Sequence, residues 1–192
     1  MLTTNHHIIL ASASPRRQQF FRELNIPFNI AIKPIDEVFP KELEREQIVC
    51  YLAELKANAF ENLQNNDLLI TADTIVLFED KVIEKPKNAE EAFEMLKKLS
   101  GNMHEVFSAV CFTTLEKQIT VHDMTKVWFK KLHDDEINYY IENFNPFDKA
   151  GGYGIQEWIG LIGVNRIEGS YNTVMGLPTH LVYKTLREFA NH

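Results

Sequence analysis

The sequence is poor in cysteine, has no long apolar run and carries no excess of positive charge. Its two cysteines, Cys50 and Cys111, lie far apart and make no metal-type spacing. Both sit in apolar surroundings, which predicts reduced, buried thiols. No apolar stretch is long enough to span a bilayer, and the N-terminus has no signal-peptide pattern, so a soluble, cytoplasmic protein is expected. With a net charge of −7, bulk attraction to nucleic acid or to an anionic membrane is not expected, and any basic site has to be local. There is no internal repeat, no low-complexity tract and no interdomain linker. A phosphate loop ending in Gly-Lys-Ser/Thr and an HExxH zinc motif are also missing; His104-Glu105 is only a fragment of the latter. The paired His6 and His7 read as surface or core histidines.

What is present suits one domain, or a two-lobed α/β unit, with ample core: 192 residues, 45% of them hydrophobic. His7 to Leu10 read as a buried strand and Pro15 to Leu24 as a helix, with Ser14 as its N-cap and Pro15 at its first position. Phe28 to Ile32 read as a second strand. An apolar stripe of Leu43, Ile48, Leu52, Leu55 and Ala59 predicts a long helix over 41–63. Asp67 to Phe78 is a mostly apolar strand, turned at Glu79-Asp80 into a short return strand, Lys81 to Glu84. Asn88, Glu91 and Gly101 bracket a helix over 88–99. Glu105 to Leu115 and Gln118 to Lys130 alternate as a long hairpin. Asp134 to Asn143 is helical, "NPFDKAGGYGIQ" is a glycine-rich loop, Gly160 to Ile167 a strand, and Pro178 to Ala190 a closing helix. The class is α/β with a sizeable antiparallel component.

Five features carry chemistry. The first turn of a helix is positive and favours acidic residues, yet here it holds Arg16 and Arg17. With Ser12, Ser14 and exposed backbone N–H groups, the turn suits a phosphate. The alternative is a solvated helix start whose arginines pair with surface carboxylates. Asp73 interrupts an apolar strand, where a carboxylate is costly unless paired or bound to metal. A phosphoaspartate enzyme would want a second Asp where Ile75 stands. Asp36 and Glu37 are adjacent carboxylates just after a strand. Lys56 and Lys85 are each compatible with a plain surface lysine, and together with the arginines would surround a polyphosphate. In "FDKAGGYGIQ", Gly151, Gly152 and Gly154 permit close backbone approach, and Gln156 offers a donor and an acceptor to a nucleobase edge.

In this order, "LASASPRR", "IDE", "LAELKA", "TADTIV", "EKP", "LSGNMHEV", "DKAGGYGIQ" and "SYNTVMGLP" resemble the Maf family of nucleoside triphosphate pyrophosphatases, over nearly the whole chain. The resemblance implies a single Maf-like domain over 1–192. Its fold would be two-lobed, a mixed sheet flanked by helices, similar to inosine triphosphate pyrophosphatases, with the active site in the cleft between lobes. It implies cleavage of a nucleoside triphosphate between its α and β phosphates, with a divalent cation, Mg²⁺ or Mn²⁺. The subgroup acting on dTTP and UTP carries Arg after Ser-Pro, Thr after the catalytic Asp and Gln in the Gly-Tyr-Gly-Ile-Gln loop; Arg16, Thr74 and Gln156 stand there. A subgroup acting on 7-methyl-GTP has an aromatic residue, Gln and a different loop instead.

By the same resemblance Asp73 is the proton acceptor. Glu37 and Lys85 complete the catalytic set, and Glu37 with Asp73 holds the metal. Arg16, Arg17, Lys56, Ser12 and Ser14 hold the triphosphate, and Thr74 and Gln156 read the base. Two places depart from the pattern. Ser108-Ala109 stand for Thr-Gly, and Glu157 stands for glycine, adding negative charge near the base site. A homodimer is implied. Three other readings stay open: a nucleotide-binding regulator of cell division and septum formation with incidental hydrolysis, a 7-methyl-GTP-type pyrophosphatase, and a house-cleaning enzyme for modified pyrimidine triphosphates.

Overall fold

The structure is a computed structural model that describes residues 4–190; of the expected 1–192 domain, residues 1–3 and 191–192 lie outside the described residues. The strands are β1 (His7–Leu10), β2 (Asn29–Ile30), β3 (Asp67–Phe78), β4 (Lys81–Ile83), β5 (Met103–Thr113), β6 (Gln118–Phe129) and β7 (Val164–Glu168). The helices are α1 (Pro15–Glu23), α2 (Glu46–Asn58), α3 (Ala89–Leu99), α4 (Asp134–Phe144), α5 (Trp158–Gly163), α6 (Tyr171–Val174) and α7 (Thr179–Ala190). The strands form one mixed sheet in the order β2-β1-β3-β5-β6-β7, with β4 paired to β3. β1 pairs parallel with β2 and β3, whereas β3–β4 and β6–β7 are antiparallel. A mixed sheet flanked by helices is the expected class. None of the described helices is long and apolar enough to cross a membrane.

By contacts the chain divides into two compact units. The first comprises the chain up to Asp73, Ser108–Asp123 and the chain from Gly176. β3 is buried on both faces from Asp67 to Asp73 and so reads as a mostly apolar run, whereas β1 alternates, with Ile8 and Leu10 buried and His7 exposed. Ile8, Leu10, Leu68, Leu69 and Ile70 are all buried, as are Ile48, Val49 and Leu52 of α2 and Val182 and Leu186 of α7. Cys111 is buried but Cys50 only half-buried, which corrects the expectation for the latter; both are free. Burial, helped by Glu54 and Glu46, pushes the Cys50 thiol up to about 11, so it stays protonated.

The helix expected over 41–63 is shorter, Glu46–Asn58. Arg45 precedes it at φ 48°, in the left-handed region, which breaks the helical path. At the other end Lys33 Nζ donates to the C-cap Ala59 O at 2.7 Å, satisfying a carbonyl that the helix end leaves without an intrahelical partner. The strand expected over 28–32 is only Asn29–Ile30.

The second unit comprises Thr74–Phe107 and Met124–Met175. Asn88 caps α3, its Oδ1 accepting from Glu91 N at 2.9 Å, while Glu91 Oε2 accepts from Lys87 N. Glu79 and Asp80 both have positive φ, as a tight hairpin turn with a right-handed twist requires. The core joins Leu96 and Leu99 of α3, Phe129 of β6, Ile137 and Tyr140 of α4, and Tyr153, Ile155 and Ile159.

The strand expected over 160–167 is corrected: Trp158–Gly163 is helix and only Val164–Glu168 is strand. A β-carbon on Gly160 would lie 1.9 Å from Ile155 O, so glycine alone lets the Ile155 turn fold back onto this helix. α6, which the sequence pattern does not announce, starts where Ser170 N donates to Thr125 Oγ1 at 2.9 Å. His104 of β5 is buried, with Nε2 2.6 Å from the Tyr153 hydroxyl and with no hydrogen-bond partner for Nδ1. Burial drops its pKa from 6.5 to about 3.

Two stability measurements test this packing. Gly160→Ala must push the Ile155 carbonyl aside, and chemical denaturation should show a loss of about 3 kcal/mol. His104 stays neutral when folded, whereas the unfolded imidazole takes a proton near 6.5. Between those two pKa values the unfolded state binds more protons, so stability falls as pH falls. From pH 7 to pH 5 the wild type should lose about 2 kcal/mol more than His104→Gln. Equal losses would mean that His104 takes up its proton in the folded protein.

Candidate active site

The first unit gathers most of the expected site residues. β1 runs out at Ala11, whose N–H donates to Ile70 O at 2.8 Å, and the chain turns through Ser12 to Ser14. Ser12 is buried; its Oγ accepts from Ser14 N, and its carbonyl accepts from Gln18 Nε2 at 3.1 Å. Ser14 caps α1, its side chain accepting from Arg17 N, and Pro15 follows in the first turn.

Arg17 answers the problem of cations at a positive helix end. Its Nε donates to Gly176 O at 2.9 Å and its Nη1 to Ala72 O at 2.8 Å. Two carbonyls therefore receive the guanidinium, and the side chain ties the turn both to β3 and to the start of the α7 segment. Burial lowers its pKa and Arg16 adds to that, while Asp73 and Glu37 oppose it. Arg17 remains a cation in every case, because guanidinium is not deprotonated in proteins. Arg16, half-buried, shares the same turn.

Next to that strap lies an ion cluster. Asp73 is a buried carboxylate on β3. The end of α2 brings Lys56 Nζ to 2.6 Å from Asp73 Oδ1. The same ammonium is 2.9 Å from Glu37 Oε1, which arrives on the segment after β2. Lys56 is thus a shared cation, and the cost of burying Asp73 is offset by its pairing. Ser12, Ser14, Arg17, Glu37, Lys56 and Asp73 fall in this one unit, and Arg17 donates to the carbonyl of the residue before Asp73.

Two carboxylates that converge on a single positive centre also suit a hard divalent cation, which takes oxygen ligands and is often held by one or two carboxylates plus substrate phosphates. The donor set of Glu37 and Asp73 fits such an ion. Among the described residues no group of three or more His, Cys, Asp or Glu is arranged to hold a metal. His7 instead pairs with Asp67, Nδ1 to Oδ1 at 2.9 Å.

The second unit holds Thr74, Lys85 and Gln156. Thr74 is half-buried on β3, Lys85 is exposed just after β4, and Gln156 is half-buried in the glycine-rich loop. That loop is two 3₁₀ turns, Pro146–Asp148 and Ala150–Gly152. Gly151 stands at φ 73°, where an added β-carbon would also press on Val76 at 3.1 Å. Its N–H donates to Glu84 O at 3.1 Å, tying the loop to the residue before Lys85.

Sequence reasoning missed the residues that hold this loop. Besides His104 and Tyr153, Tyr140 of α4 accepts from Gly154 N at 3.0 Å and donates to Glu157 Oε2. Lys149 is buried, with Nζ 3.3 Å from Glu157 Oε1 and 2.7 Å from Asp148 Oδ1. Lys149 and Tyr153 stand in "DKAGGYGIQ" and His104 in "LSGNMHEV", so the stretches were visible but the partners were not. Burial and the Glu157 carboxylate raise the Tyr140 pKa, keeping that hydroxyl protonated. Glu157 therefore does not sit as a bare charge in the loop.

Comparison with known proteins places the chain. A protein of Christiangramia forsetii named dTTP/UTP pyrophosphatase is 55% identical over 191 residues, covering 99% of this chain and 97% of that protein. One of Flavobacterium johnsoniae with the same name is 55% identical over 182 residues, covering 94% of each. A solved HAM1 protein from Coxiella burnetii superposes with a TM-score of 0.48 at 10% identity, covering 93% of this chain and 99% of that one. The family model described as Maf-like protein matches residues 7–189, and the chain belongs to the Maf family.

Proposed function

We propose that this chain hydrolyses dTTP and UTP to the nucleoside monophosphate and pyrophosphate. The carrying observation is the Glu37–Lys56–Asp73 cluster, with a buried carboxylate, a shared ammonium and a nearby guanidinium. Near-full-length relatives named dTTP/UTP pyrophosphatase support it.

In this reading water attacks the α-phosphorus. Its oxygen forms the new P–O bond, and the bond from the α-phosphorus to the bridging oxygen breaks. Pyrophosphate leaves with that electron pair. Asp73 accepts the proton of the attacking water, and Lys56, 2.6 Å from its Oδ1, holds the carboxylate in place. Arg16, Lys56 and Lys85 neutralise the triphosphate, and Ser12 and Ser14 supply hydroxyls at the turn. Arg17, expected among the phosphate ligands, also holds that turn in register with β3. Glu37 and Asp73 would hold Mg²⁺ or Mn²⁺, which supplies charge neutralisation at the phosphate oxygens. Thr74 and Gln156 read the base; the amide can pair with the N3 and carbonyl edge of a pyrimidine.

Pyrophosphate release from dTTP, UTP, CTP, GTP, 7-methyl-GTP, ITP and 5-methyl-UTP, with Mg²⁺ or Mn²⁺, tests the reading. dTTP and UTP should be turned over in preference to the purines. Asp73→Asn should lower kcat about 10³-fold while nucleotide binding persists. Near-normal turnover by that variant would remove Asp73 as the base, and a preference for 7-methyl-GTP would overturn the assignment of substrate.

A further inference from the structure

The carboxylate of Glu157 is built into the loop that carries Gln156. Tyr140, fully buried on α4, both accepts the Gly154 N–H at 3.0 Å and donates to Glu157 Oε2. Lys149, itself buried, lies 3.3 Å from the other carboxylate oxygen. The Glu157 side chain thus has a fixed position, set by a hydroxyl on one oxygen and an ammonium on the other.

That position is over Gly154, where the Gln156 amide also lies. A β-carbon on Gly154 would sit 2.8 Å from Glu157 Cδ and 3.0 Å from both Glu157 Oε2 and Gln156 Nε2. The two side chains therefore share the space that glycine leaves open. The amide atom on this face is the nitrogen. A carboxylate attracts the positive NH₂ end of an amide and repels its oxygen. An amide so biased turns its oxygen away from Glu157, as a hydrogen-bond acceptor.

An outward acceptor distinguishes pyrimidines. Uracil and thymine carry N3–H, a donor, whereas the N3 of cytosine is an acceptor. Setting two acceptors face to face leaves both unpaired, and leaving polar groups unpaired is how hydrogen-bonding sites reject a wrong ligand.

We propose that Glu157 is a specificity-determining positioning residue: clamped by Tyr140 and Lys149, it orients the Gln156 amide so that its oxygen accepts from the N3–H of uracil or thymine and opposes cytosine. The inference rests on the pyrimidine triphosphate reading above. Glu157 then sharpens base choice, in contrast to the simple expectation that its charge only adds negative potential near the base.

The test is kcat/KM for UTP, dTTP and CTP on the full chain, with melting temperature as a check of folding. Glu157→Gln keeps the shape and removes the charge that biases the amide. It should lower the UTP-to-CTP ratio about tenfold, through a higher KM for UTP with kcat changed less than twofold. Glu157→Asp keeps the charge and should retain most of the ratio. Tyr140→Phe releases one carboxylate oxygen and should lower the ratio in the same direction; it decides the matter if Glu157→Gln fails to fold. A folded Glu157→Gln with the wild-type ratio, or with equal losses on UTP and CTP, would overturn the proposal. If the wild type releases pyrophosphate from no pyrimidine triphosphate, the functional reading itself falls, whatever the variants do.

Discussion

A carboxylate in the middle of an apolar strand has to be compensated, and in this protein Lys56 does so. Asp73 lies on β3, and burying its charge unpaired would cost on the order of several kcal/mol. The compensation constrains distant parts of the chain. α2 has to end where its last turn delivers the ammonium, and the segment after β2 has to deliver Glu37 to the same nitrogen. Arg17 must then be held near a cluster that already contains a cation. It is held by carbonyls of Ala72 and Gly176, so that α1, β3 and the α7 segment meet on one guanidinium.

The second unit solves a different problem, the shaping of a loop. Glycine at 151 and 152 allows the positive φ values, and glycine at 160 allows the turn to pass close to α5. Permissive backbone alone would leave the loop with many conformations. Its order comes from polar anchors with apolar surroundings, His104 on Tyr153 and Tyr140 on Gly154 and Glu157. Such bonds are strong where water is excluded. They leave Gln156 as a half-buried polar side chain on a fixed frame.

Much of this could be read from residue order. The Ser14–Pro15 start of α1, the Asn88 cap of α3, the limits of β3 and the turn at Glu79-Asp80 depend on neighbours a few residues away. Asp73 announced itself by interrupting an apolar run, and Arg16 and Arg17 by standing in the wrong place on a helix dipole. The errors lie where a distant residue intervenes. The apolar stripe of α2 continues past Asn58, but the helix ends there and the distant Lys33 caps the Ala59 carbonyl. Gly160 to Gly163 look like strand beside Val164, but the Ile155 carbonyl admits a glycine helix there. Cys50 has apolar neighbours in sequence and yet lies half-buried on α2.

The sequence by itself determined the class of fold, the cast of charged residues and the family resemblance, because periodicity, caps and motifs are local signals. The tertiary structure alone decided the pairings: Lys56 between Asp73 and Glu37, Arg17 on Gly176, His104 on Tyr153, and Glu157 between Tyr140 and Lys149. Most of these partners stand far apart along the chain, and nothing in the residues beside one of them names the other. Packing of the strands and helices brings them within hydrogen-bonding distance, and the energy of a polar contact exists only there.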